Sequence, residues 1–198
     1  MTQENDILTA HYVHGLASGA NATTAIKIAE AFPGYEWTVA DYGECIEENV
    51  QKLNDIVAHH SPHLIVGTSM GGLTVLYTDA PNAIKVVINP ALSIADCVRN
   101  TIGLGKHPYF CKRENSAMEF ELTEEMCRAY EEYIAAYRPL LGRENYALFA
   151  AHDKLLGDEA SARAQDLLRE CGYKVLIDPN GAHRLQSSTL EMLKRALL

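Results

Sequence analysis

The chain has 198 residues, enough for one domain around one core. Its 47% hydrophobic and 22% charged residues exclude a disordered or fibrous polymer. A formal net charge of −9, with no Lys/Arg run, excludes nucleic acid as the expected partner.

Short Val/Ile-rich runs alternate with longer amphipathic stretches. Residues 7–13 read as a strand closed by His14-Gly15, and residues 22–31 as a helix stopped by Phe32-Pro33-Gly34. A second strand is expected over 36–40. A helix is expected over 46–60, with Ile46, Val50, Leu53 and Val57 on one face. Residues 63–67 form a short apolar strand, followed at once by Thr68-Ser69-Met70-Gly71-Gly72 and a helix over 73–78. Further strands are expected at 83–89, 146–151 and 174–177. Between the last two lies a helix over 159–170 with Asp158 placed as its N-cap, and a helix over 190–198 ends the chain. This alternation predicts an α/β fold: a mostly parallel sheet of about six strands with helices on both faces. In such sheets ligands sit beyond the carboxyl ends of the strands.

Residues 91–145 break the rhythm and read as a cap-like helical insertion within a single domain. Its helix, over 123–137, carries Met126, Tyr130, Tyr133, Ile134 and Tyr137 as an apolar stripe. That stripe either packs on the core or lines a pocket over the strand ends.

Gly67-Thr68-Ser69-Met70-Gly71 matches G-x-S-x-G with a strand before it and a helix after it. A sharp strand-to-helix turn lifts the Ser69 hydroxyl clear of the backbone, and the next helix points its N-terminus at developing negative charge. Serine needs a base, and the base needs an orienting carboxylate. His183 follows the strand at 174–177 and Asp153 follows the strand at 146–151, so Ser69, Asp153 and His183 are the candidate catalytic residues. Asp158 is the alternative acid. His152, beside Asp153, is a wall residue or an alternative base. The N–H groups of Met70 and Leu16 are the candidate oxyanion donors, with His14, Gly15, Tyr109 and Tyr130 as candidate substrate-binding residues.

The motifs Val13-His14-Gly15-Leu16-Ala17-Ser18-Gly19, Gly67-Thr68-Ser69-Met70-Gly71-Gly72, Val87-Ile88-Asn89-Pro90-Ala91 and Gly181-Ala182-His183 resemble the YqiA-like esterases. These are small bacterial members of the α/β-hydrolase superfamily. Leu16 stands where that family often has Phe, Met70 where Leu is common, and Ala151-His152-Asp153-Lys154 where a Gly-Asp pair is usual. The resemblance implies an α/β-hydrolase fold, the triad Ser69, Asp153 and His183, and cofactor-free cleavage of short-chain acyl esters. A thioesterase or acyltransferase would use the same residues, and a non-catalytic binding homologue would use the same fold.

The five cysteines are scattered without C-x-x-C or metal-ligand spacing, and His59, His60 and His63 surround a helix end, so neither metal nor cofactor is expected. No apolar run approaches the roughly 18 to 20 residues needed to span a bilayer. With no secretory signal at the first residues, a cytoplasmic location is expected. Nothing in the sequence indicates an oligomeric state.

Overall fold

A computed structural model describes residues 7–197. In chain order the first half reads β1 (Leu8–Val13), α1 (Thr23–Ala31), β2 (Tyr35–Val39), α2 (Ile46–His60), β3 (Leu64–Thr68), α3 (Met70–Tyr77) and β4 (Ile84–Ile88). The second half reads α4 (Ile94–Cys97), a π turn (Val98–Ile102), β5 (Gly105–Pro108), β6 (Glu119–Leu122), α5 (Glu124–Ala136), β7 (Glu144–His152), α6 (Asp158–Glu170), β8 (Lys174–Ala182) and α7 (Ser187–Leu197).

Six strands form one parallel sheet in the order β2-β1-β3-β4-β7-β8. Side chains alternate across it, as strand geometry requires. Leu64, Val66, Val86 and Ile88 face one layer with Ile28 of α1 and Leu193 of α7. Ile65 and Val87 face the other, with Leu53 of α2, Leu73 of α3, Tyr130 of α5 and Leu168 of α6. The strand order reverses between β1 and β3, which opens a crevice at their carboxyl ends.

Several local expectations are corrected. α3 starts at Met70, so Gly71 and Gly72 lie inside the helix despite their poor helix propensity; packing outweighs it. Asp158 is the first residue of α6, not its N-cap, which is Gly157 at φ 78°. An acidic first turn still suits the helix dipole. β8 continues through Pro179 to Ala182; it is the sheet edge, where a missing N–H is tolerated. The insertion holds an antiparallel hairpin, β5 with β6, which the sequence reading did not anticipate. The end of the final helix at residue 198 lies outside the described residues.

Lys85 sits on β4 with no exposed surface. Its ammonium donates to the carbonyls of Thr78 (2.9 Å), Leu140 (2.7 Å) and, at longer range, Leu76 (3.4 Å). It thereby satisfies acceptors at and just beyond the end of α3 and joins them to the segment leading into β7. Lys85→Ala leaves the Thr78 carbonyl without a donor and takes one donor from each of the Leu76 and Leu140 carbonyls, which keep the Leu140 N–H and the Tyr173 hydroxyl respectively. It is expected to lower unfolding free energy by about 3 kcal/mol or more, measured by urea denaturation.

Candidate active site

The site begins with close backbone approach. Ser69 adopts φ 55° and ψ −120°, a costly conformation for a residue with a side chain. Its own backbone groups hold it there. The Ser69 N–H donates to the Ile88 carbonyl (2.9 Å), and its carbonyl accepts from Leu73 (3.0 Å) and Ala91 (3.1 Å). The turn fits only because its neighbours lack side chains. A Cβ on Gly71 would collide with the Val13 backbone, and one on Gly67 with the Gly71 backbone. One on Gly15 would lie 3.2 Å from the Ser69 Cβ.

Two strand ends bring the remaining groups to Ser69. His183, just beyond β8, places Nε2 3.1 Å from Ser69 Oγ. Its Nδ1 lies 2.8 Å from Asp153 Oδ2. Asp153 Oδ1 accepts from the N–H groups of Leu155 and Leu156, both at 3.0 Å. Burial alone would raise the Asp153 pKa, but the bonds from His183, Leu156 and Leu155 together hold it below the ordinary carboxylate value. Asp158 makes no bond to His183; its place is the first turn of α6.

Two further side chains fix His183 from behind. Asn89, at φ 46° just past β4, accepts from the Ala150 N–H (2.7 Å) and donates to the carbonyls of Ala182 and His183, each at 3.2 Å. Asp178 accepts from the hydroxyls of Ser188 and Thr189 (both 2.7 Å) and the N–H of Asn180 (3.0 Å), closing the loop that carries His183 onto α7. The Asn-Pro-Ala motif was the available signal for Asn89; its role in holding residue 183 was not readable from spacing.

The loop after β1 is held by the insertion. Asp41 accepts from Ala20 N–H (2.7 Å) and Glu114 N–H (2.6 Å), and Phe110 N–H donates to Ala17 O (2.7 Å). Arg113, 5% exposed, donates to the carbonyls of Ser18 and Tyr42 and lies beside Asp41. The Leu16 N–H on this loop and the Met70 N–H at the start of α3 have no protein acceptor among the described residues.

Ser69 and His183 open into a cavity of about 810 Å³ that Gly15 and Leu16 also line. His14, Tyr109 and Tyr130 are not brought to it. His14 is buried; its Nε2 accepts from the Tyr42 N–H (2.9 Å) and its Nδ1 donates to the Gly15 carbonyl (2.8 Å). Burial, with Arg113 adding to it, lowers the His14 pKa to about 4, so the ring is neutral and orients the loop. Tyr109 turns its hydroxyl to Glu44 (2.8 Å), and Tyr130 is wholly buried in the layer beneath α5. Met126, Tyr130, Tyr133 and Ile134 of the α5 stripe thus pack on the core, whereas Tyr137, just past the helix end, is exposed. Among the described residues no His, Cys, Asp or Glu cluster could hold a metal, and no helix is long and apolar enough to cross a membrane.

The parallel sheet whose order reverses between β1 and β3, with the serine turn at its crevice, is the α/β-hydrolase fold. The model of the uncharacterised protein family UPF0227 matches residues 10–189, and the chain belongs to that family. No curated protein matches it. Solved structures similar to it include alpha/beta hydrolase domain-containing protein 10 from mouse, with TM-score 0.68 and 12% identity over 96% of this chain and 87% of that one. Monoacylglycerol lipase of Paleococcus ferrophilus matches with TM-score 0.66 and 17% identity, over 95% and 91% of the two chains. Est1E of Butyrivibrio proteoclasticus, solved with ferulic acid bound, matches with TM-score 0.63 and 16% identity, over 99% and 89%. At such identities the likeness is one of fold.

Asn89→Ala removes partners from the Ala150 N–H and from two carbonyls at the base of His183. An unfolding free energy lower by about 2–3 kcal/mol is expected in denaturant titration.

Proposed function

We propose that this protein is a serine hydrolase that cleaves short-chain acyl esters by way of an acyl-enzyme. The observation that carries this reading is the continuous chain of bonds from Ser69 Oγ through His183 to Asp153 at the mouth of a cavity. His183 Nε2 accepts the Ser69 proton as Oγ attacks the ester carbonyl, and negative charge moves to the carbonyl oxygen. The N–H groups of Leu16 and Met70 receive that oxyanion. As the carbonyl re-forms, the carbon–oxygen bond to the alcohol breaks, and His183 gives its proton to the departing oxygen. Water then repeats the sequence: it loses a proton to His183, attacks the acyl carbon and releases the acid, and the proton returns to Ser69. Asp153 keeps Nδ1 protonated, so Nε2 faces the serine as acceptor.

The insertion acts in this reading as a cap. Ile94, Ile102, Phe110 and Phe120 supply an apolar wall that excludes water from the reacting carbonyl. A thioesterase would need the same machinery; nothing in the cavity favours sulfur over oxygen as the leaving atom.

The test is p-nitrophenyl acetate and butyrate turnover. Wild type is expected to be active and Ser69→Ala inactive. Asp153→Asn, which favours the wrong tautomer, is expected to lose about 10⁴-fold in kcat. Equal rates for wild type and Ser69→Ala would refute the assignment.

A further inference from the structure

The cavity that Ser69 opens into has a charge character opposite to that of the chain. Asp and Glu outnumber Lys and Arg 26 to 17 in the sequence, yet neither Asp nor Glu lines the cavity. Lys27 of α1 and Arg184, the residue after His183, both do. Neither side chain has an ion-pair or hydrogen-bond partner among the described residues. Arg99, by contrast, pairs with Glu124 and Glu131, and Arg113 with Asp41; other surface cations, such as Lys106 and Arg138, are unpaired too among the described residues, but they do not line the cavity.

The lining is also divided by polarity. The insertion contributes mainly apolar groups, Ile94, Ile102, Pro108, Phe110 and Phe120, with His107 among them, and the opposite side is mainly polar apart from Leu185. The start of α1 and the loop after His183 contribute Asn21, Thr23, Thr24 and Gln186 beside the two cations. The first turn of α1 adds to this polar side, since its N-cap is Ala22 and no side chain satisfies its N–H groups.

From this division we propose that the site selects esters that carry an anionic oxygen group, a carboxylate or a phosphate, remote from the scissile bond, with Lys27 and Arg184 as the residues that recognise it. This rests on the hydrolase reading and narrows its substrate class. In a molecule of net charge −9 an anionic ester is repelled in general, so local cations within the cavity are what would reverse the preference. The apolar remainder of the ester lies against the insertion.

Matched ester pairs test the inference and find which side of the bond carries the anion. On the acyl side, mono-4-nitrophenyl glutarate is compared with 4-nitrophenyl valerate. On the alcohol side, 4-acetoxybenzoate is compared with 4-acetoxybenzamide, and acetoxyethyl phosphate with acetoxyethanol separates phosphate from carboxylate. The anionic member of at least one pair is expected to have the higher kcat/KM. The anionic-to-neutral ratio should fall about three- to fivefold in Lys27→Met or Arg184→Gln, and about tenfold or more in the double variant, as expected for solvent-exposed charges. The ratio should also shrink as salt rises from about 0.01 M to about 1 M, where the screening length drops from about 30 Å to about 3 Å.

Neutral members preferred in every pair, or a ratio unmoved by the double variant, would overturn the proposal while the hydrolase reading stood on the turnover of the neutral esters. No turnover of any ester, with Ser69 unreactive toward a fluorophosphonate, would remove the hydrolase reading and this inference with it.

Discussion

The site depends on one close approach. α3 begins immediately after β3 and presses its first turn against the carboxyl end of β1, where Gly71 touches the Val13 backbone. That contact places Ser69 in a backbone conformation unfavourable to a side chain, and three backbone hydrogen bonds to its peptide groups keep it there. The strain is local and the compensation is distributed. Ile88 and Ala91 flank the end of β4, and Leu73 belongs to α3 itself. The serine backbone is therefore positioned by the order of the sheet, and its hydroxyl meets the His183 ring from there.

Around that turn, polar side chains do what the glycines cannot. Asn89 ties the end of β4 to β7 and to the main chain at His183, and Asp178 ties the same loop to α7. Asp153 is buried, but three donors keep it ionised, so its charge remains available to the imidazole. Arg113 and Asp41 perform the corresponding task for the loop that carries Leu16. The contacts of these groups depend on geometry that only the assembled sheet provides.

Much of this was legible from residue order. The alternation of strands and helices gave the parallel sheet, because period-two and period-3.6 hydrophobic patterns are local properties. Ser69, Asp153 and His183 could be chosen because each follows a strand, and strand ends share one side of such a sheet. The insertion was far less readable. Its hairpin strands are four residues each and lie partly exposed, too short to show a period. Tyr130 looked like a pocket residue because aromatic stripes serve cores and pockets alike, and its full burial decides for packing; Tyr109, outside that stripe, turns its hydroxyl to Glu44 instead of the cavity. Arg113 gave no signal, since it acts on Ser18, Asp41 and Tyr42 from a loop remote in sequence. His14 was found for its neighbour Gly15, but its ring turns into the protein rather than toward the cavity.

The account turns on a serine hydroxyl made nucleophilic by the ring beside it. Incubation of the folded protein with a fluorophosphonate, followed by peptide mass spectrometry, measures this without any assumption about the natural ester. The account predicts one covalent adduct per chain, located on Ser69 and lost when His183 is replaced by alanine. A folded protein that stays unlabelled, or carries its adduct on another residue, would contradict it.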